Sequence, residues 1–329
     1  MTGQHLIGER LPYARAPRRV QDRISARLGS EVVEAVDCAG GMSPGPAARL
    51  RTRSGRRAFI KACGPELNPD TPRLLRLEAA VLGELSAHPA LPRLLDVIDD
   101  GDWVVLLVED LEGTLPRLPW RPHDLEQVSA TLSELRGALQ GIRPPGARSA
   151  RDSSPLLRDR WRELDGLLNR LDRGDGGDGG DGIDPVDPWW REHHDELAGH
   201  ASRALDVATG DVLAHWDIRA DNIMLTGDRT VLVDWGQARF AAPHVDHALL
   251  ALDCSMSGST VSTAEFARTD PVLRDQDPAD LVALAAACAM AFLARSLAPP
   301  QQGLAGLGTA TARWAANLQT YLRDALPTL

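Results

Sequence analysis

Asp217 and Asn222 stand five residues apart in the stretch His215-Trp216-Asp217-Ile218-Arg219-Ala220-Asp221-Asn222, and Asp234 opens Asp234-Trp235-Gly236 a little further on. The pattern is H-x-D-x-x-x-x-N, an apolar strand, a turn at Thr226-Gly227-Asp228, a second apolar strand and D-x-G. Phosphoryl transfer asks for such a set: one carboxylate to orient or deprotonate the attacking hydroxyl, and oxygen ligands for the metal ions that bridge phosphate oxygens. Asp217 suits the first role. Asn222 and Asp234 suit the second, with Mg²⁺ as the ion, if the hairpin folds them together. Taken alone, Asn and Asp here could simply cap turns; the ordered set argues for a site.

A fourth group is a lysine. Of 36 basic residues, 35 are arginine and one, Lys61, is lysine. A site that needs a compact ammonium cannot take the planar fork of arginine, so Lys61 is a candidate for holding α- and β-phosphates. Its partner would be Glu78, on a segment with helical spacing; Glu84 falls well round the same helix.

These groups need elements to carry them. Residues 31–37 read as a strand, followed by the flexible Gly40-Gly41-Met42-Ser43-Pro44-Gly45. Residues 46–53 and 57–62 read as strands joined at Ser54-Gly55, with Lys61 near the end of the second. Leucines and valines at helical spacing predict a helix over 71–87, and 94–98 and 103–108 read as two more strands. Beyond the connector Glu109-Asp110-Leu111-Glu112-Gly113, helices are expected over 124–142, 155–172, 189–208, 278–297 and 306–325. Residues 173–188 form a glycine-rich acidic tract without the ligand order of a calcium loop, read as a flexible insertion. The chain thus divides into a small β-rich lobe, residues 1–110, and a helical lobe, residues 111–329, in an α+β two-lobed fold.

Composition excludes some classes. A net charge of −10 and a pI near 5.4 argue against a nucleic-acid-binding surface. The four cysteines show no metal spacing and fit free thiols in a reducing cytoplasm. The N-terminus has no signal-peptide run, and the apolar segment Leu281 to Ala298 reads as a buried helix rather than a membrane span. His193-His194-Asp195-Glu196 reads as a solvated helix face. His215 reads as structural, bonded to backbone beside the catalytic loop.

From Gly40 to Asp246 the sequence resembles the aminoglycoside phosphotransferase family, which shares its fold with the eukaryotic protein kinases. Gly40, Gly41 and Ser43 look like its nucleotide loop, Ala58-Phe59-Ile60-Lys61 like its lysine strand, and Leu77-Glu78 like its glutamate helix. Leu107-Val108-Glu109-Asp110-Leu111 resembles the hinge that reads adenine through backbone groups. His215 to Asn222 resembles the catalytic loop, Asp234-Trp235-Gly236 the metal motif, and Pro243-His244-Val245-Asp246 the buttress that follows. Asp-Ile-Arg-Ala-Asp-Asn is similar to an actinobacterial phosphotransferase-like branch. The resemblance implies a two-lobed protein-kinase-like fold, ATP and Mg²⁺ as cofactors, and transfer of phosphate to a hydroxyl of a small molecule such as an aminoglycoside or another antibiotic.

Arg219 departs from the pattern, since family members acting on aminoglycosides usually have His two residues after the catalytic Asp. Arg219 is expected to neutralise a phosphate oxygen. Glu109 and Leu111 are expected at the adenine. Asp253, Glu265, Asp270, Asp275 and Asp277 could line a pocket for a cationic acceptor. A nucleotide-binding pseudokinase and a protein Ser/Thr kinase stay open as other readings. The protein-kinase reading lacks Gly-x-Gly-x-x-Gly and an Ala-Pro-Glu segment.

Overall fold

The computed structural model describes residues 9–85, 87–154, 159–172, 186–304 and 306–328. Most of the expected acidic insertion, 173–185, and the start of the helix expected over 155–172 lie outside the described residues.

β1 (Val32–Asp37), β2 (Ala47–Thr52), β3 (Arg57–Cys63), β4 (Leu94–Asp99) and β5 (Val104–Val108) form one antiparallel sheet in the order β1-β2-β3-β5-β4. Strand alternation explains the lysine. Ala58, Ile60 and Ala62 of β3 point to one face, where they pack with Val20, Ile24 and Leu28 of helix α1 (Arg18–Leu28). Lys61 therefore points to the other face, towards α2 (Thr71–Glu84) and the helical lobe. β5 is apolar throughout because it is buried on both faces: Val105 and Leu107 join the α1 side, Leu106 and Val108 the main core. Each large aliphatic side chain buried under α1 contributes about 2 kcal/mol.

The helical lobe holds α3 (Pro122–Ala138), α4 (Ala150–Ser153), α5 (Glu163–Asp172), α6 (Trp189–Glu192), α7 (His194–Val207), α8 (Val245–Met256), α9 (Thr263–Thr269), α10 (Pro278–Leu297) and α11 (Leu307–Ala325). The alanine-rich α10 is long and apolar enough to cross a membrane, yet it is mostly buried between α7 and α11. Asp277 caps it, its Oδ1 accepting from Ala279 N at 2.9 Å, with Pro278 at the first position. The helix expected over 189–208 breaks at His193, whose ring stacks on Trp189 and lies 3.1 Å from its carbonyl.

Two three-stranded sheets frame the site. The first is β10 (Thr230–Leu232), β9 (Ile223–Thr226) and β6 (Gly113–Thr114); the second is β7 (Arg148–Ser149), β11 (Arg239–Ala241) and β8 (Val212–Ala214). The turn expected at Thr226-Gly227-Asp228 joins β9 to β10, with Thr226 Oγ1 bonded to Arg229 O at 2.8 Å. The lobes are tied together near residue 302: Asn68 Nδ2 donates to Gln302 O at 3.0 Å, and Gln302 Nε2 to Glu66 O at 2.8 Å.

Candidate active site

The cleft between sheet and helices collects Lys61, Glu78, Asp217, Asn222 and Asp234. Lys61 Nζ lies 2.9 and 3.0 Å from the two carboxylate oxygens of Glu78 and 3.3 Å from Asp234 Oδ1. Glu78 is only 2% exposed, whereas Glu84 is on the surface. Burial opposes the charge on Lys61, but Asp234 and Glu78 outweigh it and raise its pKa. The protein around the cleft works against the Asp234 carboxylate even though half of its side chain meets solvent, and Lys61 more than compensates, holding its pKa below the usual range. Lys61 thus stays an ammonium and Asp234 a carboxylate.

The loop from His215 to Asn222 is fixed from behind. Asp246, on the first turn of α8, accepts from His215 N at 2.8 Å and Trp216 N at 2.9 Å. His215 is fully buried, its Nε2 2.9 Å from Val233 O and its ring edge-on to Trp235 at 4.6 Å. Val233 N donates to Asn222 O at 2.9 Å, closing the hairpin onto the loop. Trp216 and Asp234 both adopt positive φ, 71° and 69°, a conformation non-glycine residues take only when their surroundings enforce it.

Asp217 is held by its neighbours. Arg219 Nε donates to Oδ1 at 2.8 Å and Nη2 to Oδ2 at 3.2 Å, while Asn222 Nδ2 donates to Oδ2 at 2.9 Å. A carboxylate offers about four lone pairs; three are used, and the remaining one is on Oδ1. The amide orientation leaves Asn222 Oδ1 without a hydrogen bond from the described residues, and the Asp234 side chain is half exposed. Two such oxygens suit an ion that takes its other ligands from phosphate and water, as Mg²⁺ does. No group of three or more His, Cys, Asp or Glu able to hold a metal lies among the described residues.

Arg219, expected to neutralise a phosphate oxygen, hydrogen-bonds to Asp217. In this structure it lies on Asp217, with further carboxylates around it: Asp221 is 3.8 Å away, and Asp253 acts on it as well. Its guanidinium stacks over Trp314 of α11 at 4.9 Å. The acidic pocket is corrected. Asp253 is 4% exposed and accepts from Trp120 Nε1 at 2.9 Å and Ala220 N at 3.0 Å. Asp270 is buried against Ser129 and His247. Asp277 lines a pocket of about 210 Å³ with Arg268, Asp280 and Tyr321, which Asp217 does not share.

The loop between β1 and β2 bends at Gly41, φ 83°, and Gly45 packs so tightly on Ala62 O that no side chain fits there. Gly40 O accepts from Arg10, and Ser43 makes no hydrogen bond among the described residues. At the connector, no backbone hydrogen bond engages Glu109 O or Leu111 N among the described residues, leaving an acceptor and a donor for a base edge. Asp110 fixes this connector, with Arg49 Nε at 2.6 Å and Arg57 Nε at 2.8 Å. The Glu109 carboxylate accepts from Arg93 N and Arg229, each at 2.9 Å. Arg10, Trp314 and the buttressing roles of Asp110 and Asp253 are absent from the sequence reading; each acts across chain distances that local spacing does not encode.

An antiparallel sheet with a lysine–glutamate pair, set over a helical lobe that presents Asp217, Asn222 and Asp234, is the architecture of a kinase-like phosphotransferase. Residues 45–274 match the phosphotransferase enzyme family, and the chain belongs to it. No curated protein matches the sequence. The fold is similar to that of a choline/ethanolamine kinase family protein from Mesorhizobium loti, with TM-score 0.56 at 17% identity over 94% of each chain. It is also similar to the amicoumacin kinase hAmiN, with TM-score 0.57 at 11% identity over 93% of this chain and 94% of that one. The spectinomycin phosphotransferase APH(9)-Ia gives TM-score 0.54 at 13% identity over 93% and 94%.

Proposed function

We propose that this phosphotransferase moves the γ-phosphate of ATP to a hydroxyl of a small molecule. The observation that carries the reading is the chain of contacts from Glu78 through Lys61 to Asp234, set beside an Asp217–Asn222 pair on a backbone-anchored loop. Glu109 O and Leu111 N would receive the adenine edge. Lys61 would hold the α- and β-phosphates, with the Gly40, Gly41 and Ser43 loop above them. Asn222 Oδ1 and Asp234 would hold Mg²⁺, which when bound neutralises charge on the phosphate oxygens. The free lone pair of Asp217 Oδ1 would accept the hydrogen of the acceptor hydroxyl and aim its oxygen for in-line attack. Arg219 would then be a positioning residue that fixes the Asp217 rotamer.

Relatives named for spectinomycin and amicoumacin make aminoglycosides and other hydroxyl-bearing antibiotics and natural products the first acceptors to test. The test is ATP consumption with Mg²⁺ across such a panel, with mass spectrometry for the phosphate ester. An acceptor-dependent signal with a matching adduct supports the reading. ATP hydrolysis or silence across the panel, with ATP still bound, counts against it.

A second reading is a regulatory protein that binds nucleotide without transfer. Arg219 closing on both oxygens of Asp217 favours it, and the same panel separates the two.

A further inference from the structure

Arg10 precedes α1 and lies ahead of the residues that match the family. Its guanidinium reaches the loop between β1 and β2. Nε and Nη2 donate to Gly40 O at 2.9 and 2.6 Å, and Nη1 donates to Gly45 O at 3.3 Å. It packs against Gly41 so closely that a side chain there would collide with Nη2. The residues after it are stitched to the same hairpin: Leu11 N donates to Pro44 O, and Tyr13 N to Asp37 Oδ1, both at 2.8 Å. The backbone on either side of the contact therefore places Arg10 over the loop.

Its charge is left open. Among the described residues no carboxylate lies within ion-pair distance of Arg10, and its guanidinium donates to the carbonyl oxygens of Gly40 and Gly45. Burial lowers its pKa from the usual arginine value, and the carboxylate that acts on it most strongly is Asp234 of the D-x-G segment. This partly desolvated cation touches a glycine-rich loop, senses the candidate metal ligand and has no counter-charge in contact with it among the described residues. A guanidinium fork with spare N–H groups suits phosphate oxygens.

We propose that Arg10 is a phosphate-binding residue of the nucleotide site, a second fixed cation beside Lys61, supplied by the N-terminal segment through the Gly40–Gly45 loop. The inference rests on the nucleotide reading above. The two are separated by titrating wild type, Arg10→Gln and Arg10→Lys calorimetrically with Mg·ATP, ADP and adenosine. Glutamine keeps a donor for Gly40 O and removes the charge; melting temperatures without ligand check that each variant is folded. Arg10→Gln is expected to lose about tenfold or more in affinity for ATP and under about twofold for adenosine, with Arg10→Lys in between. Arg10→Gln with wild-type affinity for ATP, or with equal losses for ATP and adenosine, would reduce Arg10 to a pin for the loop and overturn the proposal. If wild type binds neither ATP nor adenosine, the nucleotide reading itself fails first.

Discussion

Arg219 lies along Asp217, Nε 2.8 Å from Oδ1 and Nη2 3.2 Å from Oδ2, with its far face on Trp314. The pair gives the candidate catalytic carboxylate one orientation. Lysine at 219 keeps the charge but loses the two-pronged grip and the planar stack. Arg219→Lys should therefore lower kcat about tenfold while leaving the dissociation constant for ATP unchanged. Steady-state kinetics beside a nucleotide titration checks this; a loss confined to ATP binding would return Arg219 to the phosphate.

Lys61 should tolerate no substitute. An arginine in its place would be too large for the space between Glu78 and Asp234, and Lys61→Ala leaves the buried Glu78 without its counter-ion. Breaking a buried pair by removing one partner costs about 3 kcal/mol, so Lys61→Ala should melt markedly lower. Lys61→Ala with Glu78→Gln should recover part of that loss, and the double-mutant cycle measures how much.

Asp246 anchors the loop through two backbone donors, and Trp216 holds its positive φ under that constraint. Asp246→Ala leaves His215 N and Trp216 N unpaired, a cost of about 1–3 kcal/mol each where no water reaches them. Turnover should fall about tenfold or more, with nucleotide affinity changed far less. Equal losses in both would point to global unfolding rather than loop displacement.

Burial pushes Asp253 up from 3.8 to about 6, against the hydrogen bonds from Trp120 and Ala220 and the charge of Arg219. A carboxyl whose pKa is raised by folding adds stability below its unfolded pKa, and that stability is lost as pH rises through the folded value. The shift from 3.8 to about 6 corresponds to roughly 3 kcal/mol. Asp253→Asn cannot titrate. The wild type should thus lose stability relative to Asp253→Asn between pH 4 and 6, measured by denaturant unfolding at each pH. A constant difference across that window would show that Asp253 is not raised.

The parts legible in the sequence are those set by local spacing. Asp217 and Asn222 share one loop, Asp234 closes the next hairpin, and β3 alternation turns Lys61 to the cleft. Residues 278–297 follow the predicted helix because their apolar run is continuous. Helix α1 is hard to read because only Val20, Ile24 and Leu28 carry its apolar face among many arginines. Helix α8 is buried nearly all round, with His247 and Asp253 among its buried residues, so it shows no clear apolar period, and α9 is only seven residues long. The grip of Arg219 on Asp217 spans only two residues, but its backing by Trp314 and Asp253 is remote in the chain and not legible locally. The acidic residues expected to line one pocket scatter for the same reason: two are buried in hydrogen bonds, and one caps α10.

The most direct test of the central claim compares wild type with Asp217→Ala on the first acceptor that yields a phosphate ester, following transfer and nucleotide binding together. Loss of transfer by about a thousandfold, with ATP affinity within about threefold of wild type, is the result expected of a residue that positions the attacking hydroxyl. Asp217→Ala that transfers phosphate at the wild-type rate would contradict the assignment of Asp217, and with it the mechanism proposed for this fold.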